Sequence, residues 1–215
     1  MRVDVKVCGL TQPADSRAAA ELGARYVGVI FAGGPRTLDA ARARDVLDAA
    51  GAAVQRVGVF GRSEPAEIAA TIREARLDIA QLHDDPSVDD VRAVRDASGA
   101  RIWAVVRVND ALSVSELHAL WEAADALVLD SKVSGMLGGT GSPFDWNAAR
   151  AATAEHAAPL VVAGGLTAAN VAKAIEALAP NIVDVSSGVE SSPGIKDRSR
   201  ISDFMDAVRR AGSAV

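Results

Sequence analysis

Six polar side chains, five of them titratable, stand at or near the ends of short apolar runs. Lys6 and Cys8 finish the run that starts at Val3, Gln81 and His83 finish another, Asp130 ends a third, and Asp184 lies in the last, followed by Ser186. On an extended strand, residues two apart share a face. With Val3, Val5 and Val7 turned one way, Asp4, Lys6 and Cys8 turn the other, with Lys6 about 7 Å below Cys8. The same alternation sets Leu127 and Leu129 against Asp130, and brings Gln81, His83, Asp184 and Ser186 to the face of Cys8. A thiolate takes up a proton, and a carboxylic acid held in an apolar pocket releases one. Cys8 and Asp130 in one cavity could therefore move protons at two atoms of a single substrate. Lys6 beside Cys8 is expected to favour the thiolate. The plainer alternatives stay open: Cys8 as an inert small apolar residue, Asp130 as a pin for a neighbouring loop, and His83 as a hydrogen-bonded structural group.

A second group of residues suits an anion. Gly164-Gly165 and Ser187-Gly188 follow two successive apolar runs, and Gly138-Gly139-Thr140-Gly141 lies in the loop after Asp130. Glycines let backbone N–H groups approach a ligand closely, and the helices that follow should present free N–H groups to a phosphate. Arg36, after Gly33-Gly34-Pro35, could clamp a carboxylate with both arms of its guanidinium or simply sit in a solvated loop. Metal binding has little support. His83, His118 and His156 have no ligand spacing, and one cysteine cannot build a multi-cysteine zinc site.

These groups need a scaffold that collects strand ends. The strand candidates are Val3–Cys8, Tyr26–Phe31, Val54–Phe60, Asp78–Leu82, Ile102–Val108, Ala126–Asp130, Leu160–Ala163 and Ile182–Val185. Their Val, Ile and Leu content suits strands covered on both faces. Alternating with them are helical stretches, Pro13–Leu22, Ala40–Ala50, Pro65–Ala75, Ser87–Ala97, Ser113–Ala123, Trp146–His156, Ala168–Leu178 and Ser199–Ala211. Thr11, Asp39, Ser63, Ser113, Asp145 and Thr167 are the expected N-caps, Pro13 and Pro65 suit first turns, and Gly23 and Gly51 suit left-handed helix exits. Strand–helix alternation forces parallel pairing, and eight units of roughly 27 residues can close into a (β/α)8 TIM barrel, an α/β fold. A doubly wound open sheet competes, but CGLTQ after the first strand is no dinucleotide fingerprint. One barrel domain over residues 1–215, with its chemistry at the C-terminal strand ends, is the expected organisation.

Composition narrows the partners. Apolar residues make up 49% and charged residues 24%, enough for a sizeable core. A formal charge of −5 with no basic run, and only 4% aromatics, argue against nucleic acid. Neither a signal peptide nor a membrane span is evident, so a reducing cytoplasm is the expected location. The loop Ser131–Ser142 is glycine-rich and expected to move.

In its motifs the sequence resembles the phosphoribosylanthranilate isomerases. The segments are KVCGLT at Lys6–Thr11, GVIF and PR within Gly28–Arg36, VGVF at Val57–Phe60, QLH at Gln81–His83, then LDS, GGTG and FDW. They finish with AGGLTAANV at Ala163–Val171 and DVSSGVESSPGIKD at Asp184–Asp197, so the likeness runs along essentially the whole chain in order. The resemblance implies a TIM barrel that carries out the Amadori rearrangement of N-(5′-phosphoribosyl)anthranilate to 1-(2-carboxyphenylamino)-1-deoxyribulose 5-phosphate, a step of tryptophan biosynthesis. It implies Cys8 as general base, Asp130 as general acid, and Arg36 at the anthranilate end. Gly139, Gly141, Gly164, Gly165, Ser187 and Gly188 fall on the phosphate side. Lys6, Gln81, His83 and Asp184 would support them. No cofactor is implied, the partner is a small phosphorylated molecule, and monomer and homodimer both stay open. Gly34 stands where the family often has Ser, and Asp84 where Gly often follows QLH, which would add negative charge near the mouth. A histidine-pathway or dual-substrate aminoaldose isomerase is the alternative, disfavoured by Cys8 where an Asp would be expected. A non-catalytic phospho-ligand barrel is the other, disfavoured because the acid and base are both present.

Overall fold

The computed structural model describes residues 2–107, 114–130 and 158–214. Eight parallel strands close into a barrel in chain order: β1 (Asp4–Val7), β2 (Tyr26–Ile30), β3 (Gln55–Phe60), β4 (Ile79–Leu82), β5 (Arg101–Arg107), β6 (Ala126–Asp130), β7 (Leu160–Ala163) and β8 (Ile182–Val185). Closure comes from β1 pairing with β8, Asp4 opposite Ile182 through Val7 opposite Val185. The described helices are α1 (Pro13–Glu21), α2 (Ala40–Asp48), α3 (Pro65–Ala75), α4 (Val88–Ser98), α5 (Val114–Ala123), α6 (Val171–Leu178) and α7 (Arg198–Ala214). The expected helix Trp146–His156 and the loop Ser131–Ser142 lie outside the described residues.

Alternation along the strands sorts the apolar side chains into two cores. Val5, Val7, Val27, Val29, Leu127, Leu129, Val183 and Val185 pack outward against the helices. Val57, Ile79, Trp103, Val105, Val128, Val161 and Ile182 fill the barrel interior, where Trp103 meets Tyr26 edge-on at 5.1 Å. Each such side chain removed from water contributes roughly 1.5–3 kcal/mol before entropy is counted. Trp121 also packs, with its indole N–H donating to the Ala158 carbonyl at 3.0 Å, while Trp146 lies outside the described residues. No helix among the described residues is long and apolar enough to cross a membrane.

The helix starts show where local signals lose to tertiary ones. Asp39 caps α2 by accepting from Arg42 N–H at 2.7 Å, and Ser87 caps α4 in a reciprocal pair with Asp90. Three other expected caps are displaced. Gln12, not Thr11, precedes α1, because the Thr11 hydroxyl donates instead to the Gly194 carbonyl at 2.6 Å. Glu64, not Ser63, precedes α3, where Pro65 already sets the first helical φ. Asn170, not Thr167, precedes α6: the Asn170 side chain takes the Thr167 N–H at 2.7 Å and spends the intervening residues in a turn. Ser113 and Asp145 lie outside the described residues. Gly23 and Gly51 adopt the expected left-handed backbone.

The segment after β8 departs most from expectation. Instead of leading directly into a helix, it forms a 3-10 turn, Ser187–Val189, then a small antiparallel hairpin of β9 (Glu190–Ser192) and β10 (Ile195–Lys196) before α7. Pro193-Gly194, with Gly194 at φ +83°, makes the two-residue connection and is the sequence signal for it.

Candidate active site

Lys6 is a fully buried charged group at the C-terminal end of the barrel. Strand register sets it beside Asp184, and its fully buried ammonium donates to Asp184 Oδ2 at 2.7 Å and, across the barrel, to Gln81 Oε1 at 2.9 Å. Burial alone would lower the Lys6 pKa, but the Asp184 carboxylate it bonds raises it, so the ammonium form persists. Asp184 is pushed up by burial, and the nearby Asp130 carboxylate adds to that push while Lys6 opposes it.

Cys8 sits directly beyond β1, where its N–H extends the ladder to the Val185 carbonyl at 2.8 Å. Its side chain is buried, and it owes its place to an unforeseen glycine. A Cβ on Gly28 of β2 would stand 3.0 Å from Lys6 Cε and 3.1 Å from Cys8 Sγ, so any larger residue would crowd both groups. Lys6 acts on the thiol in the expected direction without setting its state. Lys6, and Lys196 less strongly, do pull the thiol down, but burial outweighs them and Asp184 works with burial, leaving the thiol pKa raised. Cys8 therefore rests protonated. Asp130, half-buried at the end of β6 opposite Ala163, turns inward with the parity of the strand and acts electrostatically on Asp184.

Arg36 is not a solvated loop residue. It reaches over from the loop after β2 and grips Glu190 with Nε at 2.8 Å and Nη2 at 2.6 Å. Lys196, itself buried, donates to the same carboxylate at 2.8 Å and to the Ser186 carbonyl at 3.2 Å. Burial would raise Glu190, yet its bonds to Arg36 and Lys196 bring it down to about 2. Burial lowers Lys196 despite that partner, and the Glu190 bond raises Arg36. Sequence reasoning gave Glu190 and Lys196 no role, because the hairpin that carries them was not expected after β8. Only the folding of that hairpin over the barrel rim buries them.

The glycine loops lie against one another. Gly164 and Gly165 both have positive φ, and a Cβ on Gly188 would fall 1.9 Å from the Leu166 carbonyl oxygen, so the loops after β7 and β8 touch through backbone. Asn170, another residue not anticipated, ties the first loop by donating to the Gly165 carbonyl at 3.1 Å. The expectation of a full helix behind each loop is corrected here: α6 follows β7 after a turn, and behind β8 Ser187 and Gly188 open only the three-residue 3-10 turn. Gly139 and Gly141 lie outside the described residues. His83 is half-buried, its backbone N–H donating to the Phe60 carbonyl at 2.8 Å, and it lines a cleft with Asp84 and Arg62 between the loops after β3 and β4. The Asp84 carboxylate accepts from Arg62 N–H at 3.3 Å.

Lys6, Cys8, Gln81 and Asp184 thus converge at the centre of one barrel end, with Asp130 acting on Asp184 from β6. The Arg36–Glu190–Lys196 cluster stands on one side of them, with the glycine loops after β7 and β8 also at this end. The family model for N-(5′-phosphoribosyl)anthranilate isomerase matches residues 5–207. The chain is 42% identical over 208 residues to the N-(5′-phosphoribosyl)anthranilate isomerase of Acidithiobacillus ferrooxidans, covering 96% of this chain and 98% of that one. Its fold is similar to phosphoribosyl anthranilate isomerase from Thermotoga maritima, with a TM-score of 0.81 at 31% identity over 97% and 99% of the two chains. It is also similar to a phosphoribosyl anthranilate isomerase solved in complex with reduced 1-(o-carboxyphenylamino)-1-deoxyribulose 5-phosphate, with a TM-score of 0.79 at 29% identity over 97% and 99%. On sequence and fold together, this chain belongs to the N-(5′-phosphoribosyl)anthranilate isomerase family.

Proposed function

We propose that the chain converts N-(5′-phosphoribosyl)anthranilate to 1-(2-carboxyphenylamino)-1-deoxyribulose 5-phosphate, with Asp130 as general acid and Cys8 as general base. Asp130 delivers a proton to the ribose ring oxygen as the anilinic nitrogen becomes a Schiff base and the ring opens. The cationic imine acidifies the C2′ proton, and the Cys8 sulfur, at about 3 Å, removes it. The enolamine then tautomerises to the ketone. Burial keeps Cys8 a thiol at rest, so the sulfur first gives its proton to solvent at the barrel mouth, and the iminium, a positive charge beside it, favours the thiolate that then takes the C2′ proton. Lys6, held by Asp184 and Gln81, adds a second fixed positive charge beneath it.

Two anchors convert binding into orientation. The glycines at 164, 165 and 188, with Ser187, seat the phosphate, as loops after the seventh and eighth strands commonly do in such barrels. Arg36 takes the anthranilate carboxylate. The protein works in the cytoplasm on this small phosphorylated substrate, and the whole chain acts as one barrel domain.

The observation that carries this reading is the convergence of a buried sulfur from β1 and an inward carboxylate from β6 on one barrel end, joined by Asp184 and Lys6. A fluorescence assay of anthranilate-adduct consumption by the purified protein tests it directly. Asp130→Asn and Cys8→Ala should each abolish turnover, and Asp130→Asn should still bind the reduced product analogue. Turnover retained by either variant would remove that residue from its role.

A further inference from the structure

A guanidinium has two edges that can hold a carboxylate, one formed by Nε with Nη2 and one by Nη1 with Nη2. Glu190 occupies the first edge of Arg36 completely, through the 2.8 and 2.6 Å bonds. Nη1 makes no hydrogen bond among the described residues, and the Arg36 side chain keeps 22% exposure against 5% for Glu190. We infer that Glu190 is a positioning residue, which binds one edge of Arg36 so that the other faces the barrel mouth for the aromatic carboxylate of the substrate. The inference rests on the proposal that Arg36 receives that carboxylate, and names what aims it.

The surroundings make Glu190 a fixture and not a stand-in that the substrate displaces. Its Oε1 also accepts from the buried Lys196 ammonium at 2.8 Å and from Gly194 N–H at 3.2 Å, and Gly194 is in turn held by Thr11. Displacing the carboxylate would strip a counter-charge from two cations at once, which is costly away from water. The Arg36 stem is confined as well. A Cβ on Gly9 would stand 2.7 Å from Arg36 Cδ, and one on Gly194 would stand 3.9 Å from its Cγ, so the loop after β1 and the β9–β10 hairpin flank the side chain. Arg36 and Lys196 carry two positive charges against one on Glu190, leaving a surplus of one for an incoming carboxylate.

The test compares dissociation constants of two probes: reduced 1-(o-carboxyphenylamino)-1-deoxyribulose 5-phosphate, and the same molecule without the ring carboxylate. The unaltered protein should prefer the carboxylated probe by about tenfold or more, the gain expected of a two-pronged charged contact. Glu190→Gln keeps the size of the side chain but offers only one acceptor oxygen, so it cannot meet Nε and Nη2 each with an oxygen of its own. It should cut the preference to about twofold or less while leaving the second probe within about twofold of its original affinity. In turnover, the KM of Glu190→Gln should rise more than its kcat falls, a split that general loosening of the barrel would not give. The double variant Glu190→Gln, Lys196→Met restores the surplus of one positive charge without the grip on Arg36, and covers the case in which the single variant fails to fold. It too should lose the preference. Preference retained in the double variant would mean that net charge suffices, and tighter binding of the carboxylated probe by Glu190→Gln would mean that Glu190 blocks the fork; either overturns the inference. No preference in the unaltered protein would overturn the Arg36 reading itself, a result distinct from failure of Glu190 alone.

Discussion

The two ends of the barrel use the same ions in opposite ways. At the N-terminal end Arg25 meets Asp4 at 3.2 Å with the arginine 55% exposed, and Arg2 approaches the same carboxylate at 3.6 Å from an almost fully exposed position. At the C-terminal end Lys6 and Asp184 pair at 2.7 Å with side-chain exposures of 0 and 8%, and Lys196 and Glu190 at 2.8 Å with 0 and 5%. Pairs in water contribute about 0–1 kcal/mol and can be exchanged freely. Pairs out of water give up hydration for a fixed direction of charge, which makes them poor stabilisers and good templates. The difference between the ends is one of burial, and burial marks where the molecule works.

That contrast can be broken by substitution. Lys6→Met should destabilise the fold by about 3–5 kcal/mol in urea unfolding, because it strands Asp184 and deprives Gln81 of its donor. The double change Lys6→Met, Asp184→Leu should recover most of that loss while abolishing turnover, which separates folding from function in one pair of proteins. If the double variant were as unstable as the single one, the ion pair would be a structural necessity and the distinction between the ends would fail.

Acid should find the working end first. Glu190 titrates at about 2 in the folded protein against an ordinary 4.5, so its contribution is complete above pH 4.5 and disappears as pH falls toward 2. With screening allowed for, that contribution is on the order of 2 kcal/mol. Unfolding measured at successive pH values should show the decline in the unaltered protein and a flatter profile in Glu190→Gln. Equal slopes in the two proteins would contradict it.

The smallest effect belongs to the other end. Arg25→Gln should change unfolding stability by less than about 0.5 kcal/mol, and 1 M salt should erase what remains. A loss of several kcal/mol there would show that exposure is a poor guide to which pairs matter.

Much of this arrangement was legible from local sequence. Period-two alternation around Val5, Val7, Leu127 and Leu129 gave the facing of Lys6, Cys8 and Asp130 correctly, because a closed barrel has two apolar sides and leaves few polar exceptions. The α6 start slipped by three residues because the Asn170 side chain, seven residues beyond the strand, competes for the Thr167 N–H, a choice no capping preference predicts. The resting state of the Cys8 thiol was out of reach for a similar reason. Proximity to Lys6 can be inferred from spacing, but the cost of burying sulfur depends on everything packed above it. Glu190 and Lys196 were the least accessible to such reasoning, since their burial is created by a hairpin whose position no periodicity encodes.

The Lys6–Asp184 pair joins residues 178 positions apart across the seam where the first strand meets the last. A chain emerging from the ribosome carries its ammonium for nearly its whole length before the matching carboxylate exists. The carboxylate arrives only with the last strand, so the pair can form only as the ring closes. The same bond that orders the finished protein is therefore a late event in its assembly, as expected where contacts are this distant in sequence.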